Sequence, residues 1–389
     1  MKKLKLFVLL FICFAIVFYV IDQNLPQVVK HSLVSKYQNL VSDAPLSEKE
    51  RDLRYTSEKF YRSTLLRSRF NGGIIIARNG KIIFEAYNGK ERIKDGKAID
   101  SSTSFHLASV SKTITGMAVL KLFKDKQRSI DERVNAFLPE FPFEQVTVRN
   151  LLSHRSGLPN YVHFVEKFGW DTHQYISNDD ILRMMIQHKS QLDLGRPNAY
   201  FDYCNTNYAL LALIIERLSG TSFGAYLKAT FFDPLGMKNS FVFSMDQSDK
   251  VLPSYKNNNR LEPFMFLDAV YGDKNIYSSL RDMVRWDMAL YDTLQFPMSI
   301  QEEAFKGYSY ERKGVKNYGL GWRLYELPTG KKIVYHNGWW HGNNTVFSRF
   351  PQDSTVIVVL GNRYNRSIYQ AKRIAGIFDG YGIELQEDD

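Results

Sequence analysis

A serine three residues ahead of a lysine opens an apolar stretch of this chain: Ser109-Val110-Ser111-Lys112 precedes Ile114, Met117, Ala118, Leu120 and Leu122. Residues i and i+3 of a helix share a face, so a desolvated Lys112 amine can take the Ser109 proton and leave a nucleophilic alkoxide. Backbone N–H groups at the helix start would meet the developing oxyanion. The competing structural reading makes Ser109 a helix cap and lets Lys112 snorkel from an amphipathic surface. Two further clusters suit acyl transfer. In Tyr203-Cys204-Asn205, a phenol beside an ammonium loses its proton more readily and makes a general base, while Asn205 can hold a substrate amide or the lysine. The similar triplets Tyr37-Gln38-Asn39 and Tyr255-Lys256-Asn257 read as spacer and turn. In His336-Asn337-Gly338, a strand would carry an inward cation and then a glycine that admits substrate backbone, with the Trp339 N–H as a second oxyanion donor. Lys94-Asp95-Gly96 and Lys167-Phe168-Gly169 lack that strand context and read as loops.

These clusters need a scaffold, and the hydrophobic pattern outlines one. Residues 47 to 70 carry apolar side chains at helical spacing and stop at Asn71-Gly72-Gly73. A hairpin follows, Ile74-Ile75-Ile76 turning at Asn79-Gly80 into Lys81-Ile82-Ile83-Phe84. Helical patterns then dominate from about 109 to 290, at Ser109 to Lys124, Asp179 to His188 and Asn207 to Leu218. Strands return at Lys332 to Tyr335, Thr345 to Phe350 and Thr355 to Leu360, with a closing helix near Arg366 to Phe378. The expected fold class is α+β: an antiparallel sheet flanked by helices, from about 47–108 and 295–389, plus an inserted, mostly helical region from about 109–294. With no internal repeat or long linker, 47–389 reads as one catalytic unit.

The chain has 389 residues, 44% of them apolar and 24% charged, enough for a full core without disulfide staples and outside the disordered classes. Its net charge of +10 includes Lys2, Lys3 and Lys5, which precede the charge-free run Leu6 to Ile21. Without a dense basic run or a nucleic-acid motif, a nucleic-acid partner is not expected. The apolar run would reach ~24 Å as a helix, between a signal-peptide core and a full span. No small-x-small cleavage site follows it, so residues 1–22 read as a retained anchor over a cleaved signal, and 23–46 as a polar spacer. The lysines ahead of the run would place the rest outside the cytoplasmic membrane. Cys13 follows Phe11-Ile12, too bulky for a lipobox, and Cys204 is the only other cysteine, so neither a disulfide nor a cysteine metal site is expected.

Rival enzyme readings are weaker. Gly220-Thr221-Ser222-Phe223-Gly224 matches a nucleophile elbow, but that elbow needs a preceding strand, and residues 206 to 219 are helix-length and apolar. Gly220 therefore reads as a helix C-cap and Ser222 as the start of the next helix. The eight histidines contain no H-E-x-x-H, so no metal or other cofactor is expected. His106 is expected to pack behind the nucleophile, His154 to bond loop backbone, and Tyr161 to sit at the cleft rim.

The ordered set GGIIIARNGKIIFEAYNG, FHLASVSK, IDERVNAFLPEFP, VTVRNLLSHRSGLPNY, FDYCNTNYALLALIIERLSG, YGLGW and YHNGWWHG resembles the serine β-lactamase and penicillin-binding protein superfamily, in its class C-like and DD-peptidase-like branch. The resemblance runs from about Phe70 to Asn362. It implies a β-lactamase/transpeptidase-like fold, with Ser109 acylated, Lys112 and Tyr203 sharing the proton transfers, Asn205 binding the substrate amide, and His336, Gly338 and Trp339 lining the sheet edge. It also implies a small-molecule or peptide substrate, peptidoglycan-derived fragments included, acted on as by a DD-peptidase, D-aminopeptidase or esterase in the bacterial cell envelope. Two positions depart: Cys204 stands where the branch often has Ser or Ala, and His336-Asn337-Gly338 replaces Lys-Thr-Gly, which disfavours β-lactamase activity proper. A binding or sensor protein for cell-wall fragments, without turnover, is the non-enzyme alternative; retention of Lys112 beside Ser109 argues against it.

Overall fold

The computed structural model describes residues 45–378, 380 and 381, so the expected membrane segment and the spacer up to residue 44 lie outside the described residues. In chain order the strands are β1 (Gly72–Arg78), β2 (Lys81–Asn88), β3 (Phe105–His106), β4 (Phe241–Val242), β5 (Ser254–Tyr255) and β6 (Leu261–Glu262). They continue as β7 (Ile276–Ser278), β8 (Lys316–Tyr318), β9 (Arg323–Glu326), β10 (Lys332–Trp340), β11 (Asn343–Phe350) and β12 (Thr355–Gly361). The main sheet has seven antiparallel strands in the order β2-β1-β12-β11-β10-β9-β8. Its first hairpin turns on Asn79 and Gly80, both at positive φ, the geometry that matches strand twist.

Strand alternation gives the sheet two apolar faces. On the outer face Ile74, Ile76, Ile357 and Val359 pack with Leu53 and Phe60 of the Glu48–Phe60 helix and with Ile368 and Ile374 of the closing Arg366–Ile377 segment, which winds as a 3-10 helix. On the inner face Ile75, Ala77, Phe347, Val356 and Val358 join the core of the helical region. That region is built on the Ser111–Asp125 and Asn205–Ser219 helices, which pack on each other and are buried almost all round, the mark of helices inside a core rather than on it.

Packing crosses the expected division at 109 and 295. The Leu280–Ala289 helix lies on β1 and β12, tied there by the buried ion pair of Arg349 Nε with Asp287 Oδ1 at 2.5 Å. The Met298–Ala304 helix instead packs on Ser111–Asp125. A small sheet, β3-β7-β4, takes two of its strands, β4 and β7, from the stretch read as helical; strands of two or three residues are too short to show a period. β10 runs five residues past the expected end at Tyr335, because β11 pairs with it from Val334 to Trp340 and overrides the strand-poor Asn337-Gly338. β9 stops pairing at Tyr335, so His336–Trp340 form a sheet edge.

Candidate active site

Ser109 lies in a 3-10 turn, Ala108–Val110, ahead of the Ser111–Asp125 helix, and no side chain caps that helix. The turn needs Ala108 in the left-handed region, at φ 48°. His106 braces it: Nδ1 accepts the Ala108 N–H at 3.0 Å, and Nε2 donates to Asn275 Oδ1 at 2.8 Å. Burial pushes the His106 pKa down to about 4, so this bridge is a neutral imidazole. His106 thus packs behind the nucleophile.

Lys112 is fully buried and does not snorkel. Its Nζ donates to Ser109 Oγ at 3.1 Å and to the Asp273 carbonyl at 2.8 Å, and lies 5.1 Å from the centre of the Tyr203 ring. Tyr203 and Asn205 flank the start of the Asn205–Ser219 helix, which His154 fixes. His154 Nδ1 accepts the Cys204 N–H at 3.1 Å and the Asn207 side-chain amide at 3.2 Å, and its ring lies 4.4 Å from that of Tyr203. Burial, reinforced by Lys112, holds the His154 pKa well below the ordinary value, so it is neutral. The Asn205 side-chain oxygen is buried without a hydrogen-bond partner, an acceptor left over for a donor such as a substrate amide.

A cleft of about 920 Å³ is lined by Ser109, Tyr203, Asn205, Arg323, Gly338 and Trp339. Six of the seven residues singled out from sequence therefore meet here, with Lys112 beneath Ser109. Trp339 is 64% exposed, a broad apolar face on the cleft. Gly338 has a second purpose beyond admitting substrate: a Cβ there would lie 2.6 Å from the Leu107 carbonyl oxygen and 3.0 Å from Ala108 Cβ. Only glycine lets β10 approach the nucleophile turn this closely.

His336 departs from its expected place. It is 1% exposed and does not line the cleft; its ring is buried, 6.1 Å between centres from that of Tyr203. Its Nδ1 donates to the Asn337 carbonyl at 2.6 Å. Burial, then Arg323 and Lys112, hold its pKa well below the usual value, so it is not the cation read from the triplet. Tyr161 also departs: it is buried and its hydroxyl donates to Asp273 Oδ2 at 2.9 Å. Gly220, at φ 73°, caps its helix and Ser222 caps the next, which removes the elbow. Two features escaped sequence reasoning. One is Arg323, an arginine on the cleft wall, and the other is the segment Gly272–Asn275 behind Lys112; the only local signal in the latter is a turn-like Gly-Asp.

Known proteins share this fold. A family model described as Beta-lactamase matches residues 64–378. A penicillin-binding protein of Bacillus subtilis (strain 168) is 30% identical over 317 residues, spanning 77% of this chain and 70% of that protein. A D-aminopeptidase of Brucella anthropi is 26% identical over 272 residues, spanning 69% of this chain and 51% of that protein. Among solved structures, a penicillin binding protein from Bacillus halodurans superposes with a TM-score of 0.72 at 21% identity, covering 83% of this chain and 99% of the other. An octameric penicillin-binding protein homologue from Pyrococcus abyssi gives 0.70 at 25% identity, covering 83% and 76%. A match over most of the chain, on a fold that sets a serine against a buried lysine, places this protein in the β-lactamase family as a serine hydrolase of the penicillin-binding protein and D-aminopeptidase type.

Proposed function

We propose that the protein hydrolyses a peptide, amide or ester through an acyl-enzyme on Ser109, on the outer side of the cytoplasmic membrane. The carrying observation is the fully buried Lys112 amine 3.1 Å from Ser109 Oγ. As Ser109 Oγ bonds to the substrate carbonyl carbon, its proton passes to the Lys112–Tyr203 pair, which returns it to the leaving amine or alcohol; water then cleaves the ester and restores the serine. The N–H groups of Ser109 and Trp339 are the oxyanion donors, and Asn205 Oδ1 takes a substrate N–H. Similarity to a D-aminopeptidase and to penicillin-binding proteins supports D-configured, cell-wall-type substrates. With His336 neutral and buried, a substrate carboxylate would meet Arg323 or Arg366, the arginines on the cleft wall.

A fluorophosphonate probe tests this: it should label the wild type, Ser111→Ala and Ser222→Ala, and not Ser109→Ala. Label lost in Ser222→Ala alone would overturn the assignment. A panel of D-Ala-D-Ala peptides, N-terminal D-amino amides, short esters and cephalosporins then ranks the substrates. Tethering rests on the charge-free run Leu6 to Ile21 behind three lysines; a full-length protein found in washed membranes with its N-terminus intact is the expected result, and a processed N-terminus would establish a cleaved signal.

A further inference from the structure

A second buried lysine lies behind the site and does not itself line the cleft. Lys274 is 2% exposed and Asp273 1%. Lys274 Nζ donates to the Tyr161 hydroxyl at 2.6 Å, which donates on to Asp273 Oδ2 at 2.9 Å; the direct Nζ–Oδ1 separation is 3.6 Å. The ammonium also lies 4.7 Å from the Trp340 ring centre and 5.2 Å from that of Tyr161. Burial lowers the Lys274 pKa, and Asp273 opposes that shift. An apolar filling of this space would serve stability as well or better, so a buried pair here calls for a task.

The task is visible in what the same segment holds. The Asp273 carbonyl accepts from Lys112 Nζ at 2.8 Å, the Gly272 carbonyl from Thr115 Oγ1 at 2.8 Å, and the Ile276 N–H bonds Ser111 Oγ at 3.2 Å. Asn275 holds His106, and the Leu107 N–H donates to the Ile276 carbonyl at 2.8 Å. Residues 272–276 therefore brace the nucleophile segment along its length. A neutral amine has two N–H bonds and one lone pair; with one N–H on the Asp273 carbonyl, the lone pair is free to face the Ser109 hydroxyl.

We infer that Asp273 and Lys274 are positioning residues for Lys112, orienting its amine and acting on its proton exchange with opposite signs. The inference rests on the acyl-enzyme reading above. The groups facing the Lys112 amine are Ser109, the Asp273 carbonyl and the rings of Tyr203 and Tyr208; the charged or titratable groups beyond them are His154, His336, Arg323, Lys274 and the Asp273 carboxylate. Both histidines are held neutral, and Arg323, 5.3 Å from the Tyr203 ring centre, is a fixed charge common to wild type and variants, so Lys274 and Asp273 are the charges that the segment behind Lys112 brings to it. Lys274 disfavours a second ammonium at Lys112, and the Asp273 carboxylate favours it.

The test is the pH dependence of kcat/KM for a neutral ester, with the full chain, in Lys274→Met, Asp273→Asn and the double variant. The acidic limb, which belongs to the Lys112–Tyr203 pair, should move up by about one pH unit in Lys274→Met and down by about one in Asp273→Asn, and return close to wild type in the double variant. Limbs that stay in place, or move the same way in both single variants, overturn the inference even if activity falls. If Lys274→Met does not fold, the comparison of Asp273→Asn with the double variant decides: coincident limbs overturn it. Wild-type protein that fails to label at Ser109 would refute the acyl-enzyme reading instead, so the two failures are distinguishable.

Discussion

The two faces of the main sheet hold their partners by different physics. The outer face is mainly apolar contact: Ile74, Ile76, Ile357 and Val359 meet aliphatic and aromatic side chains of two helical segments, with polar ties such as Lys81–Glu50 and Tyr369–Asn344 at its margins. The inner face begins in the same way, at Ile75 and Val358, but toward β10 it passes into buried polar groups, His336, Lys112, His106 and the Asp273–Lys274 pair. Apolar area is the main hold on the first face, and at its centre an apolar side chain of similar volume will serve. The second is secured by directed bonds, each of which fixes an atom of the site, so changes there should cost activity beyond their effect on stability.

The contrast breaks most sharply at Gly338. Gly338→Ala puts a Cβ 2.2 Å from Thr345 Oγ1 and 2.6 Å from the Leu107 carbonyl, and displacing the nucleophile turn should lower kcat/KM by ~10²-fold or more. Steady-state kinetics beside a thermal melt would read both effects; activity retained with a lowered Tm would make Gly338 a packing residue only. On the outer face, Ile357→Ala should cost about 2–5 kcal/mol in urea denaturation, with kcat/KM unchanged wherever the protein is folded. A change in kcat/KM there would show that the faces are coupled.

Acid sharpens the comparison more gently. His106 is neutral when folded, with a pKa near 4, against ~6.5 when unfolded. The unfolded chain therefore binds the extra proton first, and the stability this group contributes is present above about pH 6.5 and lost as pH falls toward 4. Between pH 7 and 5 wild type should lose about 2 kcal/mol more than His106→Gln. Parallel pH profiles of stability for the two proteins would contradict a neutral, buried His106.

The legible and illegible parts of the molecule divide in a related way. The Asn79-Gly80 hairpin and the apolar helices after Ser111 and Asn205 were readable because local periodicity and turn residues encode them, whereas the gathering of Ser109, Lys112, Tyr203 and Asn205 was implied by the resemblance of the ordered motifs. The neutral state of His336 was not readable, since it depends on burial and on Arg323 and Lys112, brought beside it from elsewhere in the chain. Asp273, Lys274 and Asn275 read locally as a turn; their meaning lies in partners more than 100 residues away. The Cβ-free approach at Gly338 was likewise read toward the substrate, when its nearest neighbour is the protein itself.

Ala108 gives this division its thermodynamic side. A side chain held at φ 48° gives up about 1 kcal/mol or more that a glycine would not, and the His106 bridge keeps it there in the folded state. That distortion is settled once, during folding, and not again at each turnover. The serine that follows has no torsional search left to make when a substrate arrives, and Ala108→Gly, by easing the backbone, would return that search to the catalytic cycle.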